Sequence, residues 1–153
     1  MTTLPMKAIS LWEPWASLVA IEAKKIETRS WQTSHRGLIA IHAARHYSMK
    51  TAAFANSEPC LSIFRREKVE WGKFSFGCII AVCELTDVFP LIERAATFRL
   101  SEQERAFGDY SPGRFAWLLK NTRRLRDPIP YRGRQGLFTL DVATSDELRR
   151  RIA

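Results

Sequence analysis

The chain has 153 residues, of which 46% are hydrophobic and 26% are charged. This length and balance are typical of one compact domain with a sizeable core, so we expect residues 1–153 to form a single domain. No apolar run approaches the ~20 residues that span a bilayer, which argues against a membrane protein. The N-terminal residues lack the pattern of a secretory signal, so export by that route is not expected.

The chain is strongly basic. It has 24 lysines and arginines against 16 aspartates and glutamates, which gives a formal charge of +8. Positive charge favours polyanions, because binding releases counterions from phosphates. Nucleic acid is therefore one candidate partner, and a merely solvated basic surface explains the charge equally well. The later arginines that can form one basic flank are Arg123, Arg124, Arg126, Arg132, Arg134, Arg149, Arg150 and Arg151.

The cysteines and histidines show no metal pattern. Cys60, Cys78 and Cys83 form neither a CxxC pair nor a metal-finger spacing, and their odd number leaves no complete disulfide framework. We expect reduced, mostly buried thiols in a cytoplasmic protein. The run from His42 to His46 lacks the glutamate of the HExxH zinc motif and is expected to leave a strand rather than lie on a helix. We therefore predict no metal and no cofactor.

The first half of the chain predicts three strands around one short helix. Pro14 stands where the first turn of a helix tolerates proline, so a helix is expected from Trp15 to about Glu22. A helical or irregular stretch is expected to end near Arg66. The strands are predicted at residues 7–11, 26–29 and 38–42.

The second half predicts three more strands and two helices. Ser101 followed by Glu104 has the spacing of a helix capping box, and Ser145 or Asp146 is expected to cap a last basic helix. Strands interleaved with short helices, without regular βαβ units, indicate an α+β fold with a barrel-like sheet. The strands are predicted at residues 78–85, 115–119 and 137–141.

Several stretches resemble a known family. Lys24, Glu27 and Arg29 stand at the spacing of GxKxxExR, the signature of the ASCH family, which is named from activating-signal cointegrator homology. Glu22 occupies the position where this signature usually has glycine. The later part of the chain resembles the corresponding blocks of the larger ASCH proteins, so the resemblance spans most of the sequence. The stretches that carry it are residues 9–37, 104–117, 128–130 and 133–137.

The resemblance implies a PUA-like β-barrel of about five to six mixed strands with short flanking helices, in a superfamily associated with RNA binding. Some small members are amidohydrolases that remove an acyl group from the N4 amine of cytidine with a lysine, a threonine three residues later and a distant glutamate. Lys24 matches that lysine, and Glu27 stands at the threonine position. Glu104, with Glu102 as the second choice, is the candidate for the distant glutamate.

The signature residues also have a physical interpretation of their own. Side chains two apart on a strand share a face, so Glu27 and Arg29 can point into one cleft, and Lys24 can join them from the preceding turn. In a site secluded from water, the two cations hold Glu27 ionised, and Lys24 can offer a proton or stabilise negative charge. The alternative is an ion-pair network that only braces the junction of helix and strand. The family resemblance favours the cleft.

Four further side chains are candidates for substrate binding. Trp12 and Trp15 bracket the start of the first helix, where backbone N–H groups attract anions and indole faces stack bases, although tryptophans there are more often core. His42 is interpreted first as a buried, hydrogen-bonded side chain, with a cleft role as the alternative. Arg114 can reach a phosphate or carbonyl with its planar fork, or bond the carbonyls of its own loop.

These features lead to one main hypothesis and two alternatives. The main hypothesis is a metal-independent amidohydrolase for N4-acylcytidines, in which Glu27 or Glu104 deprotonates water, Lys24 polarises the amide carbonyl, and Trp12 or Trp15 holds the pyrimidine. The alternatives are a non-catalytic RNA-binding module and a ribonuclease that uses a histidine. A modified nucleoside or RNA is the expected partner. No membrane and no obligate protein partner are expected.

Overall fold

The computed structural model describes residues 4–70, 73–92 and 100–153. Among these residues no helix is both long enough and apolar enough to cross a membrane. The strands are β1 Lys7–Leu11, β2 Ile26–Arg29, β3 Gly37–Ala43, β4 Cys78–Pro90, β5 Phe115–Pro130 and β6 Leu137–Thr139. The helices are α1 Trp15–Ala20, α2 Met49–Ala55, α3 Cys60–Arg66, α4 Glu102–Phe107 and α5 Val142–Ile152.

The six strands form one mixed sheet in the order β2-β5-β4-β3-β1-β6. β1 pairs with β3 in parallel, and the other neighbours are antiparallel. The long β4–β5 pair contains three register shifts, and such bulges bend and twist strands, so the sheet curls into a half-barrel. The α+β fold with mixed strands and short flanking helices, as predicted, is confirmed.

The core lies on both faces of the central strand β3. Ile39 and Ile41 face the apolar cluster that includes Leu85 and Trp117, while Ala40 faces a second cluster that includes Leu148 of α5. A strand covered on both sides reads as a nearly continuous apolar run rather than an alternation. This explains why residues 38–42 were recognisable as a buried strand from sequence.

Two strands are longer than the sequence predicted. β4 continues to Pro90 and β5 to Pro130. Beyond residues 85 and 119 most side chains of both strands are exposed or only partly buried, and in β5 the buried Leu125 stands among exposed arginines. Predictions that rest on an apolar pattern detect the mainly buried part of a strand, and here they missed the parts with few buried side chains.

The predicted cap of the last helix is wrong. Asp141 caps α5, and its carboxylate accepts a hydrogen bond of 2.7 Å from the Thr144 N–H. Ser145 is buried inside the helix and donates to the Asp141 carbonyl at 2.8 Å. Because α5 begins earlier than predicted, β6 ends at Thr139 rather than at residue 141. The Ser101 cap of α4 is confirmed, since its hydroxyl accepts from the Glu104 N–H at 3.1 Å.

Candidate functional site

The turn after α1 positions the first signature residue. Glu22 has φ +62°, in the left-handed region that favours glycine. Its N–H donates to the Val19 carbonyl at 3.0 Å, and the N–H of Ala23 donates to the Leu18 carbonyl at 2.9 Å, which together make a Schellman motif. The Lys24 N–H also donates to Leu18, at 3.0 Å. This turn sends the Lys24 side chain into the interior, where it is fully buried.

The three signature side chains form one ion-pair network, as the spacing predicted. The Lys24 ammonium donates to the Ile26 carbonyl and lies 3.5 Å from Glu27 Oε1. Arg29 Nη2 lies 3.1 Å from Glu27 Oε2. The side chains of Lys24, Glu27 and Arg29 are 0%, 14% and 23% exposed, respectively. The lysine therefore stands behind the carboxylate, and the carboxylate and the arginine face outward.

Glu104 lies behind this network. Its Oε1 accepts a 2.6 Å hydrogen bond from the Lys25 N–H, and burial raises the pKa of its carboxyl although Lys24 opposes that shift. Its Oε2 is buried and has no hydrogen-bond partner among the described residues, and the same holds for the Tyr110 hydroxyl. Burial and the nearby carboxylates of Glu104 and Glu27 raise the pKa of Tyr110. A buried polar cluster therefore lies behind the site.

Two clefts open on this part of the sheet, and they share Ser10, Trp12 and Arg29. The smaller cleft, about 630 Å³, contains five of the predicted site residues. The larger cleft, about 1010 Å³, contains three of them. Lys24 and Glu104 line neither cleft. The predicted residues in the smaller cleft are Trp12, Trp15, Glu27, Arg29 and Arg114, and those in the larger cleft are Trp12, Arg29 and His42.

The larger cleft is basic and aromatic. The described residues that line it include no aspartate and no glutamate. Its arginines are Arg29, Arg45, Arg132 and Arg134, and its large aromatic side chains are Trp12, Trp31 and Tyr131. A concave surface of this composition attracts anions and offers planar faces to planar ligands.

The two predicted tryptophans differ in environment. Trp12 is 52% exposed and stacks on His46 with ring centroids 3.7 Å apart and an interplanar angle of 15°. Trp15 stacks on Phe54 at 4.9 Å and packs against a buried cluster under α1. Trp12 therefore presents a large exposed ring to both clefts, whereas Trp15 is mainly part of the packing beneath the smaller one.

His42 is buried and hydrogen-bonded, which was the first interpretation of it, and it also lines the larger cleft. Its Nδ1 lies 2.9 Å from the Ser10 hydroxyl, and its Nε2 lies 2.8 Å from the Tyr131 carbonyl. Burial lowers the pKa of His42, so the neutral ring dominates at pH 7. A Cβ at Gly133 would lie 2.5 Å from His42 Cε1, so only glycine fits over this ring.

Arg114 makes the contacts of a loop cap. Its Nη2 donates to the Thr28 carbonyl at 3.1 Å, and its Nε donates to the Asp109 carbonyl at 3.1 Å. It also lines the smaller cleft. Glu102, the second choice for the distant acid, is exposed at the start of α4, so Glu104 is the glutamate that approaches the network.

Sequence reasoning missed several residues of the site. Ser10 meets His42 only because β1 and β3 pair in parallel with these residues in register, and a single sequence does not show that pairing. Neither His46 nor Tyr110 was singled out as a candidate site residue from the sequence. The basic glycine turn around Gly133 was a usable signal, since two arginines flank a glycine there. No group of three or more metal-ligating side chains occurs in the described ranges.

A six-stranded mixed sheet curled into a half-barrel, with short helices and clefts beside its central strands, defines a PUA-like domain. The model of the ASCH domain matches residues 9–129, and the chain belongs to the ASCH family. Domains of this family have a PUA-like fold associated with RNA binding.

Relatives and solved structures agree with this assignment. The chain is 26% identical over 134 residues to Activating signal cointegrator 1 of Mus musculus and of Homo sapiens. These matches cover 87% of this chain and 22% of the relatives, so the chain spans about a fifth of their length. An ASCH crystal structure from Zymomonas mobilis superposes with a TM-score of 0.55 at 17% identity, covering 95% of this chain and 94% of that one. A mutant of that protein gives 0.54 at 18% identity, with 98% of each chain covered.

Proposed function

We propose that this domain binds single-stranded RNA, or a modified nucleoside within it, in the larger cleft. The observation that carries the proposal is the lining of that cleft, which combines four arginines with three large aromatic side chains and includes no carboxylate among the described residues. Single-stranded nucleic acid offers the complementary groups, because its phosphates pair with cations and its bases stack on aromatic rings.

Trp12 is the stacking residue in this proposal. One ring face is covered by His46, and the 52% exposure of the residue leaves a broad surface at the junction of the two clefts. Arg29 lies at the same junction, and its side chain is 23% exposed. A base stacked on Trp12 therefore brings its phosphate or carbonyl oxygens near a partly exposed guanidinium group.

The test is a fluorescence anisotropy titration of a labelled single-stranded RNA at several salt concentrations. Trp12→Ala removes one stacked base and is expected to weaken binding roughly 5- to 150-fold, with the salt dependence unchanged. Arg134→Ala removes one phosphate contact, and the slope of log K against log salt should become shallower by about 0.7. Arg65→Ala, on the exposed side of α3 outside both clefts, is the matched control.

The outcomes separate a specific cleft from a merely basic surface. If Arg65→Ala weakens binding as much as Arg134→Ala, the RNA follows the overall charge and the cleft has no special role. If the wild-type protein binds no RNA at low salt, the proposed function is wrong.

Hydrolysis of N4-acylcytidine is the second candidate, and Glu27 is the observation that favours it. Its carboxylate reaches the wall of the smaller cleft with Lys24 behind it and Arg29 beside it. The carboxylate therefore has a fixed position between two cations at the cleft wall, where its oxygens can accept a hydrogen bond from water. Because the Lys24 side chain is 0% exposed, its role here is electrostatic support of Glu27, and Arg29 takes over the contact with the substrate.

In this candidate reaction, Glu27 accepts a proton from water, and the hydroxide attacks the acyl carbon. Arg29 stabilises the negative charge on the carbonyl oxygen. The C–N bond then breaks, and the N4 amine leaves with the proton from Glu27, which releases cytidine and a carboxylic acid. Glu104, which lines neither cleft, acts only through the charge it places near Lys24.

The test is cytidine release from N4-acetylcytidine and longer N4-acylcytidines, followed by chromatography. Glu27→Gln keeps the shape of the side chain and should abolish release, whereas Glu102→Gln, at an exposed position, should leave it unchanged. Absence of release from every substrate would remove this candidate and leave RNA binding standing. The third candidate, RNA cleavage with His42 as acid or base, has less support, because Nδ1 of His42 faces the Ser10 hydroxyl and Nε2 faces the Tyr131 carbonyl, so neither ring nitrogen is directed at a bound phosphodiester.

We propose a cytoplasmic location for the protein. The three cysteines are free, and two of them are buried, which fits a reducing compartment.

A further inference from the structure

Ser10 and His42 lie side by side on the parallel strands β1 and β3, where they are register partners. The Ser10 hydroxyl is 2.9 Å from His42 Nδ1. His42 Nε2 is 2.8 Å from the carbonyl oxygen of Tyr131. Serine, histidine and a backbone acceptor thus form one continuous chain of hydrogen bonds at the larger cleft.

The direction of each hydrogen bond follows from the groups involved. A carbonyl oxygen only accepts, so Nε2 of His42 must carry the proton that binds Tyr131. In the neutral ring Nδ1 then has a lone pair, and the Ser10 hydroxyl donates to it. A serine hydroxyl donating to a histidine that is oriented by a third group is the arrangement that activates a serine nucleophile.

The surroundings suit attack on a bound substrate. Ser10 lines both clefts and is only partly buried. A Cβ at Gly133 would lie 2.8 Å from Ser10 Oγ, so the glycine backbone packs closely against the serine and leaves no room for a side chain on that side. Arg29 donates to the Ser10 carbonyl at 2.9 Å, and its side chain is 23% exposed. A partly exposed cation is therefore anchored to the backbone of Ser10.

We propose that Ser10 is a nucleophile for acyl transfer, activated by His42, and that its substrate is an acyl ester of a nucleotide held in the larger cleft. The nucleotide part rests on the proposed function, because it uses the same arginines and aromatic rings. The nucleophile itself rests only on the geometry of Ser10, His42 and Tyr131.

The reaction has two balanced steps. Ser10 Oγ attacks the ester carbon as its proton moves to His42 Nδ1, and Arg29 stabilises the charged oxygen. The ester C–O bond breaks, and the nucleotide alcohol leaves with the proton from His42, so the acyl group remains on Ser10. Water then attacks the acyl carbon and gives its proton to His42. The bond to Ser10 Oγ breaks, the serine recovers its proton, and a carboxylic acid is released.

The first experiment is labelling with a fluorophosphonate, which transfers its phosphorus to an activated serine and releases fluoride. Intact mass and peptide mapping are expected to show one label, on Ser10. Ser10→Ala should abolish it, and Ser34→Ala, at an exposed position outside both clefts, should not change it. His42→Gln should slow labelling at least 100-fold, the usual contribution of a general base. Circular dichroism checks that this buried variant is folded.

Three results would refute the assignment of Ser10 as a nucleophile. They are the absence of label on Ser10 in the wild-type protein, label spread over several serines, and a labelling rate in folded His42→Gln equal to that of the wild-type protein. Peptide mapping of the labelled wild-type protein tests the proposal even if a variant fails to fold.

The second experiment separates this proposal from RNA binding. Acetate release from 3′-O-acetyl-AMP and RNA affinity are both measured for the wild-type protein, and Ser10→Ala is expected to lose acetate release. Labelling of Ser10 without any RNA binding would refute both the nucleotide ester as substrate and the proposed function, and it would support Ser10 as a nucleophile. RNA binding without Ser10 labelling would refute the nucleophile alone.

Discussion

Replacing Glu22 by glycine should stabilise the protein. Glu22 closes the Schellman motif after α1 with φ +62°, and glycine is the residue that this position of the family signature usually has. The Glu22 side chain is exposed, so its removal leaves the core unchanged.

The expected gain follows from two opposing effects. A residue with a Cβ in the left-handed region costs about 1–2 kcal/mol, which glycine avoids. Glycine also adds conformational freedom to the unfolded chain, which offsets about 0.4–1 kcal/mol of that gain. The free energy of unfolding should therefore rise by about 0.5–1 kcal/mol. For a chain of this length this corresponds to an increase in Tm of about 1–4 °C.

Calorimetry and urea unfolding of Glu22→Gly measure this change. Glu22→Ala is the matched control, since it removes the same charge and keeps the Cβ, and it should give no increase. A gain of equal size in both variants would show that the effect comes from charge, and a loss of stability in Glu22→Gly would refute the argument from the backbone.

Three other substitutions test the surroundings of the site. Burial raises the pKa of Glu104 above 4.5, so the folded state binds its proton more tightly and stability falls as the pH rises from 4.5 through the folded pKa. Glu104→Gln should remove this decrease in the free energy of unfolding, which urea titrations between pH 4 and pH 7 measure. Gly133→Ala places a Cβ 2.5 Å from His42 Cε1 and should lower stability by about 1–3 kcal/mol in thermal unfolding. Lys24→Ala removes a fully buried side chain and the cation 3.5 Å from Glu27, and should lower the free energy of unfolding by about 3–5 kcal/mol, whereas Lys25→Ala at the exposed neighbour should change it by less than about 0.5 kcal/mol.

The fold was predictable where local patterns and burial agree. β1 and β2 begin and end at the predicted residues: β2 lies between the polar residues Lys25 and Ser30, and β1 ends three residues before Pro14. The second half of β5 was missed, because its arginine-rich stretch pairs with β4 and has few buried side chains, of which Leu125 is one. The cap of α5 was misplaced, because several polar residues in a row offer the same local chemistry and packing of the helix decides among them.

The candidate site was predictable only where its residues are near in sequence. The contacts of Glu27 with Lys24 and Arg29 follow from their spacing on one turn and one strand. The contact of Ser10 with His42 depends on which strands pair and in what register, which a single sequence does not show. The full burial of Lys24 was not predicted either, because it results from packing around the turn after α1.

The sheet order determines when this site can exist during synthesis. In the described structure, β2 carries Glu27 and Arg29 and hydrogen-bonds to β5. Residues 26–29 therefore cannot pair in the sheet until residues 115–118 have been synthesised. Loop closure over such separations comes late in folding. The larger cleft needs the chain as far as Gly136. A nascent chain therefore carries its basic and aromatic side chains without a formed cleft until the last part of the domain has left the ribosome, and shortened N-terminal fragments should have no ordered site.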